Sequence, residues 1–180
     1  MKIRELKEKD ADGMLLWMHD DKTKDIFIKS FYNYNEKDVL NFINNKNDKY
    51  NINYACVDDE DKYLGTISLK NIDYDNLNAE LAISFIKDAQ GTGAAQFAMN
   101  EILKIGFNIL KLKKIYLNVL SSNIRAINFY KKMGFNEEGI FKNHVKKNNK
   151  YIDLMWFAIE NSFFKGVWWC LNLKRKNQGK

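Results

Sequence analysis

A mixed α/β (α+β) domain, its sheet carrying packed helices, is the fold the sequence predicts, and three observations predict it. Three strand-like runs joined by short polar turns fill the stretch from Ile52 to Ile86. A helix, a strand and a second helix follow in strict succession as far as Met133, and a last strand-like run spans Tyr151 to Ile159. Strands first, then alternating helices and strands, require a sheet with helices on its faces.

The elements follow in order. Lys2 to Leu6 is expected as a first strand. Asp10 is placed to cap a helix carrying Met14, Leu15, Trp17 and Met18 inward. Asn35 is placed to cap a second helix with Val39, Leu40, Phe42 and Ile43 as its apolar face. Between them lies the aromatic connection Ile26-Phe27-Ile28-Lys29-Ser30-Phe31-Tyr32-Asn33-Tyr34. The meander runs through Ile52 to Val57, the acidic turn Asp58-Asp59-Glu60-Asp61, Tyr63 to Asn71, and Ala79 to Ile86. The turn Gln90-Gly91-Thr92-Gly93 leads into a helix on which Ala95, Met99, Ile102, Ile105 and Ile109 recur at helical spacing. Lys114 to Val119 is a strand, Asn123 to Met133 a helix, and Gly134 its natural terminator.

Composition limits what the chain can be. Its 180 residues suffice for one domain with a full core, and 46% hydrophobic, 14% aromatic and 29% charged residues are globular proportions. The net charge of +6 arises from abundant Lys and Asn, as an AT-rich genome would produce, or from attraction to anionic partners. Two cysteines, Cys56 and Cys170, make neither a disulfide framework nor a metal site; Cys56 lies in an apolar run that suits a buried thiol. The beginning, Met1-Lys2-Ile3-Arg4-Glu5, lacks the apolar core of a signal peptide, and no run approaches the ~18 apolar residues of a membrane span, so the cytoplasm is the expected compartment. No His/Cys/Asp/Glu cluster has metal-ligand spacing, and no nucleic-acid-binding motif is present.

The segment that carries chemistry is Gln90-Gly91-Thr92-Gly93-Ala94-Ala95, set between a strand and a helix. Its small residues let main chain approach a ligand closely. The first turn of the helix behind it offers unpaired N–H groups and the positive end of a dipole, an anion site suited to a pyrophosphate. It is not a dinucleotide fingerprint, since a third glycine is missing, nor a Walker-type loop, which ends in Gly-Lys-Ser/Thr.

These residues resemble the GNAT superfamily of acyl-CoA N-acetyltransferases, whose motif Gln/Arg-x-x-Gly-x-Gly/Ala is met by Gln90, Gly93 and Ala95. A second stretch of the same family, an asparagine followed by a tyrosine and Gly-Phe, is matched by Asn123, Tyr130 and Gly134-Phe135. Glu80-Leu81-Ala82-Ile83 and Phe135-Asn136-Glu137-Glu138-Gly139 look most like the branch holding ribosomal-protein N-terminal acetyltransferases and many sugar acetyltransferases. The resemblance covers residues 1–160 as one domain and leaves 161–180 as a tail. It implies a GNAT-type mixed, mostly antiparallel twisted sheet with helices on both faces.

The resemblance also implies acetyl-CoA as cosubstrate, with no metal. Main-chain groups of Phe85, Ile86 and Lys87 are expected to pair with its pantetheine arm. Amides of Gly91, Thr92, Gly93, Ala94 and Ala95, introduced by Gln90, are expected to hold its pyrophosphate. Asn123 is either a further cofactor contact or a helix N-cap. Tyr130 is expected to point at the thioester sulfur and protonate the departing thiolate, for which a phenol with a pKa near ~10 is suited. Some relatives place a glutamate base five residues before the asparagine; here that position is Asn118. The base is then Glu80, which alternation puts on the strand face of Ala82 and Ser84, or a water chain, while a structural ion pair is the plainer account of Glu80.

His19 stands where family members often form the acceptor pocket, a capping or surface histidine being the alternative; Phe27, Phe31, Tyr32 and Tyr34 are expected to line that site, or to form a mobile lid or plain core. His144 among its lysines reads as a solvated loop residue. The tail holds Phe163, Phe164, Trp168 and Trp169 ahead of Lys174-Arg175-Lys176, and closes the acceptor groove, fills a homodimer interface, or lies on an anionic membrane. The expected activity is acetyl transfer to a primary amine, first a nucleotide-linked amino sugar. The alternatives are acetylation of a protein N-terminus and a CoA-binding domain without catalysis.

Overall fold

The structure is a computed structural model that describes residues 1–45 and 47–161. One seven-stranded sheet organises it, in the order β1-β2-β3-β4-β5-β7-β6. The strands are β1 (Lys2–Glu5), β2 (Ile52–Val57), β3 (Tyr63–Asp73), β4 (Asn78–Phe85), β5 (Lys114–Leu120), β6 (Asn136–Lys147) and β7 (Lys150–Glu160). Every neighbouring pair is antiparallel except β4 and β5, which are parallel. The helices are α1 (Ala11–Met18), α2 (Asp21–Ile26), α3 (Glu36–Asn44), α4 (Ala94–Lys104) and α5 (Ile124–Lys132). No helix among the described residues is long and apolar enough to cross a membrane.

Strand alternation divides the helices between the two faces. Cys56 faces α4, its thiol against the Ala94 carbonyl, and Ile67, Leu69, Ile115 and Leu117 line the same side. α1 lies on the other side, where Trp17 donates to the Tyr63 hydroxyl and Tyr63 bonds Thr66. The buried thiol of Cys56 is raised to about 11 by desolvation.

Several expectations need correction. Asp10 does not cap α1: its carboxylate takes a forked pair of bonds from Arg4 at 2.7 and 2.9 Å and caps a 3-10 turn through the Lys7 N–H. Asn35 does cap α3, in a reciprocal box with Asp38, but Phe42 is 40% exposed and only Val39 and Ile43 are buried on that helix. α4 runs into a π-helical turn at Ile105–Ile109, where the Leu110 N–H reaches back to the Ile105 carbonyl. That wider turn shifts the helical phase, so Phe107 goes inward and Ile109 is 70% exposed. α2 lies ahead of the aromatic connection, in residues to which no element was given, and shares only Ile26 with it. His144 is solvated but belongs to β6, a strand whose outward residues give almost no apolar alternation. The aromatic tail lies outside the described residues.

Candidate active site

Main-chain bookkeeping locates the site. β4 and β5 are paired only at Asn78–Lys114, Ala79–Ile115 and Glu80–Tyr116. Beyond Glu80 the two strands part, β4 running on to Phe85 against β3 and β5 to Leu120 against β7. The Ile86 N–H bonds the Leu64 carbonyl of β3, so alternation turns the main-chain groups of Leu81, Ile83 and Phe85 toward the opening. On the other edge, the Ser121 N–H goes to Asp153 and the Asn161 N–H to Lys113, which turns Asn118 toward the same opening. A gap lined by main-chain donors and acceptors in the middle of a sheet calls for a strand-like occupant.

At the mouth of this opening stands the glycine loop. Gly91 (φ 83°) and Gly93 (φ 88°) both lie in the left-handed region, and Gly93 is the residue from which α4 starts. A side chain at either would meet nothing within 4 Å, so glycine is needed there for conformation and not for space. Thr92 fixes the loop, its hydroxyl donating to the Ala89 carbonyl at 2.8 Å and accepting from the Ala94 N–H at 3.3 Å. Ala94 is fully buried and Ala95 partly so, while Gly91, Thr92 and Gly93 are exposed. Gln90, in extended conformation, accepts a hydrogen bond from Arg125 in the first turn of α5. That guanidinium beside the N-terminal end of α4 was missed in the sequence; its position two residues after Asn123 is the only signal, and it gains meaning once α5 is beside the loop.

α5 delivers the tyrosine. Asn123 caps it, its carbonyl oxygen accepting from the Ala126 N–H at 3.1 Å, and Ile127 and Tyr130 form its buried face. The helix ends in a Schellman turn: the Gly134 N–H (φ 90°) bonds Lys131, and the Phe135 N–H bonds Tyr130. The Phe135 ring then packs 5.9 Å from the Tyr130 ring, with Phe129 at 5.7 Å. Tyr130 is 9% exposed, and burial pushes its phenol up to about 12. No described residue bonds its hydroxyl.

Glu80 sits where β4 and β5 part. Its carboxylate accepts from Asn71 at 3.0 Å and Asn118 at 3.4 Å, with the Lys70 ammonium 3.6 Å away. The ion pair expected as the plain account of Glu80 is therefore present, and Asn118 serves as its donor. Phe85 lays its ring across Gly65, opposite it in register. Packing thus claims the Phe85 side chain while its main chain faces the opening. Ile86 departs from expectation: its N–H is held by Leu64 and its carbonyl by Ala89, and its side chain is buried. Lys87 is exposed in a 3-10 turn.

The acceptor candidates are gathered at one end of α1, away from the glycine loop. His19 closes α1, and its Nε2 is 2.8 Å from the Tyr34 carbonyl, so it pins the aromatic segment. Phe31 packs edge-on against Trp17 at 5.3 Å, and Tyr34 against Phe31 at 5.5 Å. Tyr32 is the outward ring, 46% exposed. Across from them the β6–β7 turn reaches α2, where Asn148 donates to Asp25 at 3.1 Å. Among the described residues no group of three or more His, Cys, Asp or Glu could hold a metal ion.

Comparison with known proteins shows the family. The acetyltransferase (GNAT) domain family matches residues 3–156. A spermidine N(1)-acetyltransferase of Vibrio cholerae is 32% identical over 123 residues, 67% of this chain and 71% of that one. An uncharacterized N-acetyltransferase, p20, of Bacillus licheniformis is 25% identical over 91% of this chain and 94% of its own. Among solved structures, a crystal structure of spermidine N-acetyltransferase from Vibrio cholerae in complex with CoA and spermine superposes with a TM-score of 0.83 at 25% identity, covering 91% of this chain and 96% of that one.

Proposed function

Because the chain belongs to the GNAT acetyltransferase family and is thus an N-acetyltransferase, we propose that it moves acetyl from acetyl-CoA to a primary amine of an aliphatic polyamine. The observation that carries this reading is the opening between β4 and β5. A pantetheine arm has two amides along a flexible chain and can add there as a short strand, bonding Ile83, Phe85 and Asn118. The pyrophosphate then meets the first-turn amides of α4 and the Arg125 guanidinium.

The amine attacks the thioester carbon directly. Its proton passes to Glu80, whose oxygens keep lone pairs beyond those taken by Asn71 and Asn118. The tetrahedral intermediate expels the CoA thiolate, and Tyr130 donates a hydrogen bond to that sulfur as negative charge gathers on it. A phenol near 12 keeps its proton at any physiological pH. Complete transfer to a thiolate with a solution value near ~8.5 would be uphill. The same burial that raises the phenol also raises a thiolate bound beside it, which narrows that gap.

The polyamine is favoured by the names of the Vibrio cholerae relatives, one of which was solved with spermine. A nucleotide-linked amino sugar ranks below it. Its support is the resemblance of Trp17-Met18-His19-Asp20 and Phe31-Tyr32-Asn33-Tyr34 to acetyltransferases of surface-glycan pathways, and the rings of Trp17, Phe31 and Tyr34 are engaged in packing on one another.

Release of CoA thiol from acetyl-CoA, measured against spermidine, spermine, amino sugars (free and nucleotide-linked) and N-terminal peptides, tests both parts. Turnover with spermidine should fall about 10²–10⁴-fold in Tyr130→Phe while acetyl-CoA affinity holds. Turnover with sugars or peptides alone would overturn the polyamine assignment, and undiminished turnover in Tyr130→Phe would remove that residue from the chemistry.

A further inference from the structure

The face of the sheet that α1 covers at one end is open at the other. Residues opposite one another in register share a face, which puts Glu80 beside Tyr116 and Asn118 beside Trp156 on it. Phe141 of β6 completes a row of three rings. Trp156 stands in the middle, 6.0 Å from Tyr116 and 5.5 Å from Phe141, ring centre to ring centre, with the planes inclined by 39° and 55°. These inclinations make the row concave. With Lys114 and Glu138 on its rim, it lines an open cavity of about 360 Å³. Phe141 is 49% exposed, and His144 packs against it at 5.2 Å.

The charges around this cavity favour a cation. Lys114 is paired with Glu138 at 2.6 Å, and Glu160 stands opposite it in register. Burial, and after it the negative charges of Glu80 and Asp73, push the Tyr116 phenol above its ordinary range. The faces of aromatic rings carry the negative side of their quadrupole. A cation within about 6 Å of each ring centre is attracted to all three, and the more strongly where water is partly excluded. Three inclined rings beside carboxylates thus suit an ammonium better than an anion or a neutral ring.

We propose that Tyr116, Trp156 and Phe141 form a cation–π subsite for an aliphatic ammonium. The molecule that brings the ammonium rests on the polyamine reading above: one amine lies at Glu80 for acetylation and the far one sits on the rings. Glu80 and Trp156 are two strands apart, roughly 10 Å across the sheet. An extended aliphatic chain covers that distance in about eight bonds. The subsite therefore acts as a ruler. It favours 1,8-diaminooctane and spermidine over 1,4-diaminobutane, whose second ammonium falls short of the rings.

Acetylation of a diamine series from 1,4-diaminobutane to 1,8-diaminooctane by the full-length chain reads this ruler. The kcat/KM should rise about tenfold along the series, the size of one partly desolvated cation–π contact. Octylamine, as long but without the second charge, should not share the gain. In Phe141→Leu, which keeps bulk and removes a π face, the ratio between the two ends of the series should fall. A flat series with spermidine still acetylated would overturn the subsite and leave the polyamine reading standing. An equal gain with octylamine would assign the length preference to apolar contact and overturn it too.

Binding can be followed without turnover. Titration of 1,8-diaminooctane into the isotope-labelled full-length chain should shift the ring resonances of Tyr116, Phe141 and Trp156, while 1,8-octanediol should leave them in place. Such shifts, with acetyl passing only to sugars or peptides, would keep the subsite and overturn the polyamine reading. Unmoved rings would overturn the subsite whatever the enzyme acetylates.

Discussion

At the scale of single residues, the site is held by ordinary backbone chemistry. Tyr130 and Phe135 are the two partners that a Schellman turn brings into contact, so the Gly-Phe pair after the tyrosine positions its ring. Asn123 caps α5 through its carbonyl oxygen, which accepts from the Ala126 N–H, and its amide N–H groups are not used by that bond. Burial of Tyr130 has a measurable consequence. Its pKa is higher folded than in an unfolded chain, where ~10 applies, so its contribution to stability is complete below about pH 10 and fades as pH rises through about 12. Two units amount to about 3 kcal/mol at most. Denaturant midpoints followed against pH should hold level to about pH 10 and then fall, less steeply in Tyr130→Phe. An identical alkaline fall in both proteins would mean that the phenol is not desolvated as its surroundings imply. Tyr63, buried and bonded to Thr66, is shifted the same way and accounts for part of the parent's fall.

At the scale of elements, the sequence was most legible where one face of a strand or helix is buried and the other is not. β2 and α5 fall where alternation and helical spacing put them. β6 escaped because most of its residues are exposed, and α2 because its short polar turn has no apolar stripe. Ile109 was misread because a π turn changes phase without any mark in composition. Gly65 is a comparable case, since only the β3–β4 register shows that the Phe85 ring lies over it. A Cβ at Gly65 would come within 2.5 Å of both the Phe85 ring and the Ser84 carbonyl, and the carbonyl cannot give way. Gly65→Ala should therefore cost about 1–3 kcal/mol and weaken acetyl-CoA binding through displaced β4 main chain. Gly91→Ala, with open space around it, should cost only about 1–2 kcal/mol of left-handed backbone strain. Denaturation and calorimetric titration of the two variants check this; equal cofactor affinities would argue against a binding role for the β4 edge.

At the scale of the whole molecule, the first strand is tied to the first helix by charge. Arg4, 12% exposed, is forked onto Asp10, 1% exposed, and also bonds Asp61 at 2.7 Å from the turn between β2 and β3. Lys9 and Arg4 hold the Asp61 carboxyl well below the usual range, so its contribution is present at neutral pH and lost as the solution becomes strongly acid. Asp10→Ala strands the guanidinium in a dry site and removes the Lys7 cap; a loss of about 3 kcal/mol is expected, at the low end for a broken buried pair because Asp61 remains. Urea denaturation measures it, and a loss below about 1 kcal/mol would mean that water already reaches Arg4.

What the sequence determined by itself was local: the order of most elements, the loop with its two glycines, the capped helix with its tyrosine, and through their spacing the family. Each is set by contacts among residues near one another in the chain, which periodicity and turn chemistry record. What only the tertiary structure decided was non-local. The parting of β4 from β5, the turning of Ile83 and Phe85 but not Ile86 toward the gap, the arrival of Arg125 beside Gln90, and the gathering of Tyr116, Phe141 and Trp156 each depend on which strand lies beside which. That choice follows from how the whole sheet shares out its main-chain hydrogen bonds and apolar faces, and no single segment carries it.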